Sequence, residues 1–276
     1  MLNIGRYVVS RRGEIVLVRE QVLGPPEVAV LSSLGRLRVS VFRRPRVAIL
    51  STGDELVEPD QIPRSDQIRN SNAYSLQCQV RQLGVLPEYL GIAGDDEVSL
   101  RSGIHRGLER DILIITGGVS VGAYDRVKSV FEECGLEIVF KKVAMRPGKP
   151  TVFARKGDKL IFGLPGNPIS AFVSFENFVR PALGRLCGFR KPELPRITGI
   201  LTKEIKQTTG RISFLPAQVS WDSNSWHIRP LRWMGSGDIF GFCRCNAMII
   251  FPSDRSQLNQ GEGAEALLLP DFFNRQ

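Results

Sequence analysis

Apolar and polar positions along the chain fall into two repeating textures. Short apolar runs, "RVAILS" (46–51), "PEYLGIA" (87–93) and "DILIIT" (111–116), have the length and β-branched content of buried strands. Between them, apolar residues return at helical spacing. Leu76, Val80 and Leu83 mark a helix from about Asn72 that Gly84 can close, and Leu100, Ile104 and Leu108 mark a second, capped by Asp95 or Asp96. Val127, Val130, Phe131 and Cys134 mark a third after "DILIIT". "LEIVFKKVA", "TVFA" and "KLIFG" continue as strands, and Asn167 with Pro168 opens a helix bearing Phe172, Phe175, Val179 and Leu183. This alternation predicts an α/β domain, a mostly parallel sheet with helices on both faces.

From about Lys191 the texture changes. "KPELP" has the composition of a linker, and the short runs "ITGILTKEI", "RISFLPAQV", "WHIRPLRWM", "NAMIIFP" and "AEALLLP" predict a small antiparallel β-barrel-like domain. Trp221, Trp226 and Trp233 are expected in its core or at its rim. Domain boundaries follow: 1–42 as linker and the end of a preceding domain, 43–190 as the α/β domain, 191–276 as the β domain.

Composition narrows the chemistry. The 276 residues hold 37 Lys and Arg against 28 Asp and Glu, a formal charge of +9, which suggests anionic partners. No recognition helix or aromatic platform accompanies the basic residues, so nucleic acid is not expected. Arg43, Arg44 and Arg46 read as a solvated basic face. Lys141, Lys142, Arg146 and Lys149 differ, because Pro147, Gly148 and Pro150 pin the backbone around them. Five cysteines without a CxxC pair, and only two histidines, support neither a disulfide framework nor a zinc site and suit a reducing cytoplasm. No apolar run approaches the roughly 18 residues of a membrane helix, and the first residues lack the apolar stretch of a signal peptide.

The polar motifs fall after strands. "STGDEL" follows the first, "TGGVSVGAYD" the third, and "GLPGNPIS" leads from the last into the final helix, so three loops should converge on one crevice outside the carboxyl ends of the sheet. Taken alone, "TGGVSVGAYD" reads equally as a Gly-rich loop aiming N–H groups at an anion or as a plain turn with Asp125 as the helix N-cap.

"RRPRVAILSTGDELVEP", "DILIITGGVSVGAYDRVK", "VAMRPGKPTVFA" and "GLPGNPISAFVSFENFVRPAL", in this order, resemble the central domain of molybdopterin molybdenumtransferases, the MoeA and gephyrin E-domain family. The resemblance runs from about Arg43 to Gly188 and continues more weakly through "GRISFLPAQ" and "GSGDIF". It implies insertion of molybdate into adenylylated molybdopterin with release of AMP, assisted by Mg2+. By that resemblance Glu55, Asp125, Asp54 and Lys142 fall on catalytic positions, and Asp125, Glu55, Asp95 and Asp96 on metal-binding ones. The pterin, its phosphate and molybdate would meet Ser51, Thr52, Gly53, Thr116, Gly117, Gly118, Ser120, Arg146, Lys149, Pro150, Gly166, Asn167, Ser170, Arg211 and Ser236. A homodimer, other proteins of molybdenum cofactor synthesis as partners, and a cytoplasmic location are further implications.

Two departures stand out. The family normally carries an elongated domain ahead of this point, and "IFGFCRC" replaces the more serine- and leucine-rich stretch expected after "GSGD". The molybdenum-inserting enzyme therefore stands beside an alternative, a non-catalytic molybdopterin-binding or scaffold module derived from it. The number and order of the motifs argue against a third reading, a generic basic α/β protein binding some other nucleotide or nucleic acid.

Overall fold

A computed structural model describes residues 2–4, 7–10, 13–19, 21–118 and 124–270, with side chains for 13–19, 21–118 and 129–270. Helix α1 (Pro25–Ser33) opens on two prolines, with the Glu27 carboxylate accepting the Gly24 N–H, and it buries none of its residues. The α/β domain follows as β1 (Val47–Thr52), α2 (Ser71–Arg81), β2 (Pro87–Ala93), α3 (Glu97–Gly107), β3 (Ile112–Thr116), α4 (Tyr124–Glu133), β4 (Glu137–Phe140), β5 (Val152–Lys156) and β6 (Lys159–Leu164). A helical run then comprises α5 (Pro168–Ser174), a π-turn (Phe175–Val179) and α6 (Arg180–Leu186).

The sheet order is β2-β1-β3-β6-β5-β4. Strands β2, β1, β3 and β6 are mutually parallel, and β5 turns back antiparallel to both β6 and β4. Side-chain alternation splits β1 between two cores. Ala48 and Leu50 pack with Leu100, Ile104, Val130 and Phe131 under α3 and α4, whereas Val47 and Ile49 pack with Leu76, Val80, Phe175 and Leu183 under α2 and α6. The expected doubly covered sheet is thus formed. Its chain reverses direction across the sheet between β1 and β3, which opens a crevice at their carboxyl ends.

Strands β7 (Arg196–Leu201), β8 (Ile212–Asp222), β9 (Ser225–Pro230), β10 (Ala247–Phe251) and β11 (Gly263–Leu268) close into a five-stranded barrel through the β9–β8 and β7–β9 pairings, with a short helix α7 (Ile239–Phe242) before β10. Its interior holds Leu201, Leu215, Val219, Ile228, Ile249, Phe251 and Ala266. Trp226 and Trp233 pack against that core, and Trp221 stands exposed, edge-on to Trp226 at 5.1 Å.

One expectation needs correction. "LEIVFKKVA" is not a strand throughout: β4 ends at Phe140, and the residues just after the run, Met145–Arg146, pair with Ile212–Ser213 of the barrel. Arg43, Arg44 and Arg46 are exposed, as expected of a solvated basic face, and two of them also tie the chain to the sheet. Arg43 donates to both oxygens of Asp111 (2.6 and 3.1 Å), and Arg44 donates to the Leu83 carbonyl at 3.2 Å. No helix among the described residues is long and apolar enough to cross a membrane.

Candidate functional site

The crevice at the β1/β3 switch point is closed on its far side by the barrel, which leaves a cavity of about 630 Å³. Thr52, Glu55, Arg69, Asn70 and Asn72 line it from the β1–α2 connection; Thr116 and Gly117 from the end of β3; Arg146, Pro147, Gly148, Lys149 and Pro150 from the basic loop. Pro165, Gly166, Asn167, Pro168 and Ser170 contribute from the turn into α5, and Arg211, Trp233, Gly235 and Ser236 from the barrel.

Each wall has a local cause. The basic loop reaches the barrel because Met145–Arg146 add to the edge of β8 and Ala144 accepts the Ile212 N–H at 3.1 Å, so Arg146 and Arg211 are brought to the same corner. Arg146 also donates to Gln207 at 3.4 Å. A cis bond joins Arg146 to Pro147, and the loop is tied across itself by Val143 N–H to the Lys149 carbonyl (3.0 Å). Asn167 is the N-cap residue of α5, as expected, but its side-chain amide crosses to the Ser236 hydroxyl (3.0 Å), and the Ser236 carbonyl takes the Ile169 N–H at 3.1 Å. The barrel therefore occupies part of the helix start that the sequence offered to phosphate. Asp238 holds that barrel turn by accepting from Met234 N (2.9 Å) and Gly241 N (2.8 Å), which depresses its pKa.

Thr52 is buried, and its hydroxyl oxygen has no hydrogen-bond partner among the described residues. A buried hydroxyl without a partner costs free energy unless a ligand or water satisfies it. Beside it the Glu55 carboxylate folds back over Gly53, whose φ of +141° and missing side chain permit this: a Cβ there would lie 2.4 Å from Glu55 Oε2.

The acidic positions divide. Glu55 faces the cavity. Asp54 Oδ1 accepts the Asp95 N–H at 3.1 Å, and Asp96 caps α3 by accepting from Ser99 N at 2.9 Å; hydrogen bonding to the Ser99 side chain and then to its backbone lowers the Asp96 pKa. Asp54 and Asp96 flank Gly94, each carboxylate 3.1 Å from where its Cβ would be. Asp54, Asp95, Asp96, Ser51, Gly53 and Lys142 are not among the residues lining the cavity; Lys142 is exposed after β4, and Ser51 is buried behind it. Gly118, at φ +60°, continues the turn from Gly117. Ser120 lies outside the described residues. So does the side chain of Asp125, although its backbone is in the first turn of α4 and not at an N-cap. Among the described residues no group of three His, Cys, Asp or Glu forms a metal-binding set.

Sequence reasoning missed the asparagines. Asn70, 1 % exposed, caps α2 through Ala73 N (3.3 Å), accepts from Ser51 Oγ (3.1 Å) and donates to Tyr89 Oη (2.7 Å). Tyr89 in turn donates to Glu58 (2.7 Å); burial first, and then this carboxylate, push its phenol pKa up. Asn72 donates to Thr116 Oγ1 (2.9 Å) and the Gly166 carbonyl (2.8 Å), joining two of the three strand-end loops. The "NSN" spacing at a helix start was the available signal.

The fold and the cavity define a class of protein: a doubly covered α/β domain whose strand-end loops and a following β-barrel enclose a cation-rich site. The chain belongs to the family described as probable molybdopterin binding domain, whose model matches residues 48–185, and residues 198–269 match the MoeA C-terminal region, domain IV. It is 32% identical over 263 residues to a molybdopterin molybdenumtransferase of Staphylococcus aureus, covering 94% of this chain and 62% of that protein. To the enzyme of the same name from Bacillus subtilis it is 32% identical over 261 residues, 94% and 61% of the two. Among solved structures, the molybdopterin biosynthesis MoeA protein of Pyrococcus horikosii superposes with a TM-score of 0.78 at 31% identity, over 91% of this chain and 61% of that one. The chain thus spans about three-fifths of the length of the curated relatives it matches.

Proposed function

We propose that this chain supplies the pterin- and molybdate-handling centre of a molybdopterin molybdenumtransferase, which inserts molybdate into adenylylated molybdopterin and releases AMP. The observation that carries the reading is the convergence, in one cavity, of Arg146 and Lys149 from the basic loop and Arg211 from the barrel opposite Glu55 and the unpartnered Thr52 hydroxyl. A phosphorylated pterin and an oxyanion both need fixed cations, and loops pinned by proline and by barrel pairing hold those cations in place before the ligand arrives. Arg211 and Ser236 bear on the oxyanion side, and Thr116, Gly117 and Gly166 on the pterin side. Closure by the barrel lowers the local dielectric and strengthens each contact.

Magnesium would assist cleavage of the phosphoanhydride. The described carboxylates do not assemble a site for it, since Asp96 is engaged as a helix cap and Asp54 with the Asp95 backbone. We read the chain as a cytoplasmic homodimer, in keeping with the exposed apolar side chains of the N-terminal arm, among them Ile15, Leu37 and Val41, and with five cysteines that form no disulfide. Residues 43–190 and 191–276 serve as its two working domains.

The test is chromatographic detection of AMP after adenylylated molybdopterin is mixed with the chain. Release that requires molybdate, and falls at least about tenfold in Arg211→Ala, supports the proposal; release indifferent to molybdate contradicts it.

A further inference from the structure

Asn72 is about nine-tenths buried and lines the cavity, yet its side chain is only half used. Nδ2 donates to the Gly166 carbonyl at 2.8 Å and to Thr116 Oγ1 at 2.9 Å. The first of these partners can only accept. The second gives its own proton to the Pro165 carbonyl at 3.4 Å and so accepts from Asn72 as well. A side-chain amide has two donor hydrogens on one atom and acceptor lone pairs on the other. With both hydrogens spent on acceptors the amide cannot be turned over, and Oδ1 is held as an acceptor that takes no hydrogen bond from any described residue.

That fixed acceptor is neutral, whereas much of its surroundings is charged, with the Glu55 carboxylate as the acidic member. Arg69, Arg146, Lys149 and Arg211 all present donors to the cavity, which suits phosphate and oxyanion but does nothing to choose the rest of a ligand. Next to Asn72 the backbones of Gly117 and Gly166 face each other without side chains; a Cβ on Gly166 would meet the Gly117 α-carbon at 3.7 Å. A ring resting on this edge would meet backbone only, and would lie against the two glycines, not between them. A neutral acceptor beside it rewards an N–H and leaves two lone pairs opposed when a carbonyl stands in the same place.

We propose that Asn72 is the specificity-determining residue of the cavity, its Oδ1 accepting from the exocyclic amino group of the ligand's heterocycle and so selecting a pterin over its oxo analogue. This rests on the function proposed above and names the group that reads the ring.

Isothermal titration of the chain with 6-hydroxymethylpterin monophosphate, with the matching lumazine phosphate, in which an oxo group replaces the 2-amino group, and with inorganic phosphate tests it. The wild-type chain should favour the pterin over the lumazine by at least about tenfold, because a site built to bond an N–H rejects an analogue lacking it. Asn72→Ala should bring the two to within about twofold, whatever it does to the affinity for inorganic phosphate. Equal wild-type affinity for the two ring systems overturns the proposal, as does discrimination that survives in Asn72→Ala. The wild-type comparison stands even if Asn72→Ala fails to fold, and Asn72→Ser then serves as the second variant. If wild type binds neither pterin phosphate nor inorganic phosphate, the proposed function fails first.

Discussion

Gly117 lies so close to Thr52 that a Cβ on it would sit 2.2 Å from the Thr52 carbonyl oxygen and 3.0 Å from its hydroxyl. Its φ of +92° is also one that side-chain-bearing residues rarely adopt. The ends of β1 and β3 can approach this closely only with glycine at 117. Gly117→Ala should therefore push the two loops apart, cost about 1–3 kcal/mol in urea denaturation and weaken pterin phosphate binding at least tenfold in the same preparation. Retention of full affinity would show that the junction does not shape the cavity.

Behind the cavity, Glu176 is fully buried in the π-turn, where it accepts from Arg180 and from Gln79 Nε2 (2.7 Å), and Arg180 also donates to Gln82 (3.0 Å). This ties α2, and with it Asn70 and Asn72, to the helix that runs on from the Gly166 turn. Removing one member of a buried ion pair strands the other, at a cost of about 3–5 kcal/mol, whereas replacing both with apolar residues relieves much of it. Glu176→Gln or Arg180→Met alone should thus lose more stability than the double change Glu176→Leu with Arg180→Met. Guanidinium denaturation of the three variants checks the order, and additive losses would contradict it.

At the other end of the sheet, Asp111 accepts from both guanidinium nitrogens of Arg43 and from Arg46 N (2.7 Å), and the Arg46 carbonyl takes the N–H groups of Asp111 and Ile112. The Arg43 bonds, opposed by partial burial, bring its pKa down from 3.8 to about 2. A carboxylate whose pKa is lower in the folded state contributes stability above its unfolded pKa, and that contribution disappears as pH falls through the folded value. Asp111→Asn should accordingly be less stable than wild type at pH 6, with the gap closing as the pH falls from about 4 to 2. Melting temperatures across that range report it; a gap independent of pH would mean the loss is not electrostatic.

Much of this frame was legible because burial imposes period. β1 and β3 are runs of fully buried residues, β6 is buried from Ile161 to Leu164, and α2 and α3 place Leu76, Val80, Leu100 and Ile104 against them. Long-range pairing was not legible. Met145–Arg146 sit in the proline-pinned basic loop with no strand pattern of their own, yet their backbone partners are Ile212–Ser213, contributed by the barrel. Arg43 and Asp111 are 68 residues apart, so a reading of the local charge cluster leaves out its partner. Asn70 and Asn72 read as ordinary residues of a helix start because their work is done across the sheet, on Ser51, Tyr89, Thr116 and Gly166. The convergence of strand-end loops was recoverable from topology alone, but which of their side chains face the cavity was not: Glu55 does, and Lys142 does not line it.

The cavity's cations should act as a set. Lys149→Ala and Arg211→Ala are each expected to reduce affinity for pterin phosphate about tenfold, and to make the remaining binding less sensitive to salt, since fewer charges are left to screen. Titrations at low and high ionic strength separate this from a change of shape, which would lower affinity equally at both.

The most direct test of the central claim is calorimetric titration of the chain with molybdopterin, read together with amide hydrogen exchange. The account predicts saturable one-site binding with a dissociation constant in the micromolar range or tighter, and slowed exchange in the segments around Thr52, Asn72, Gly117, Lys149 and Ser236, with the outer strands of the barrel unchanged. Absence of heat at micromolar concentrations, or protection appearing only away from those five segments, would show that the loops at the β1/β3 switch point are not the pterin site.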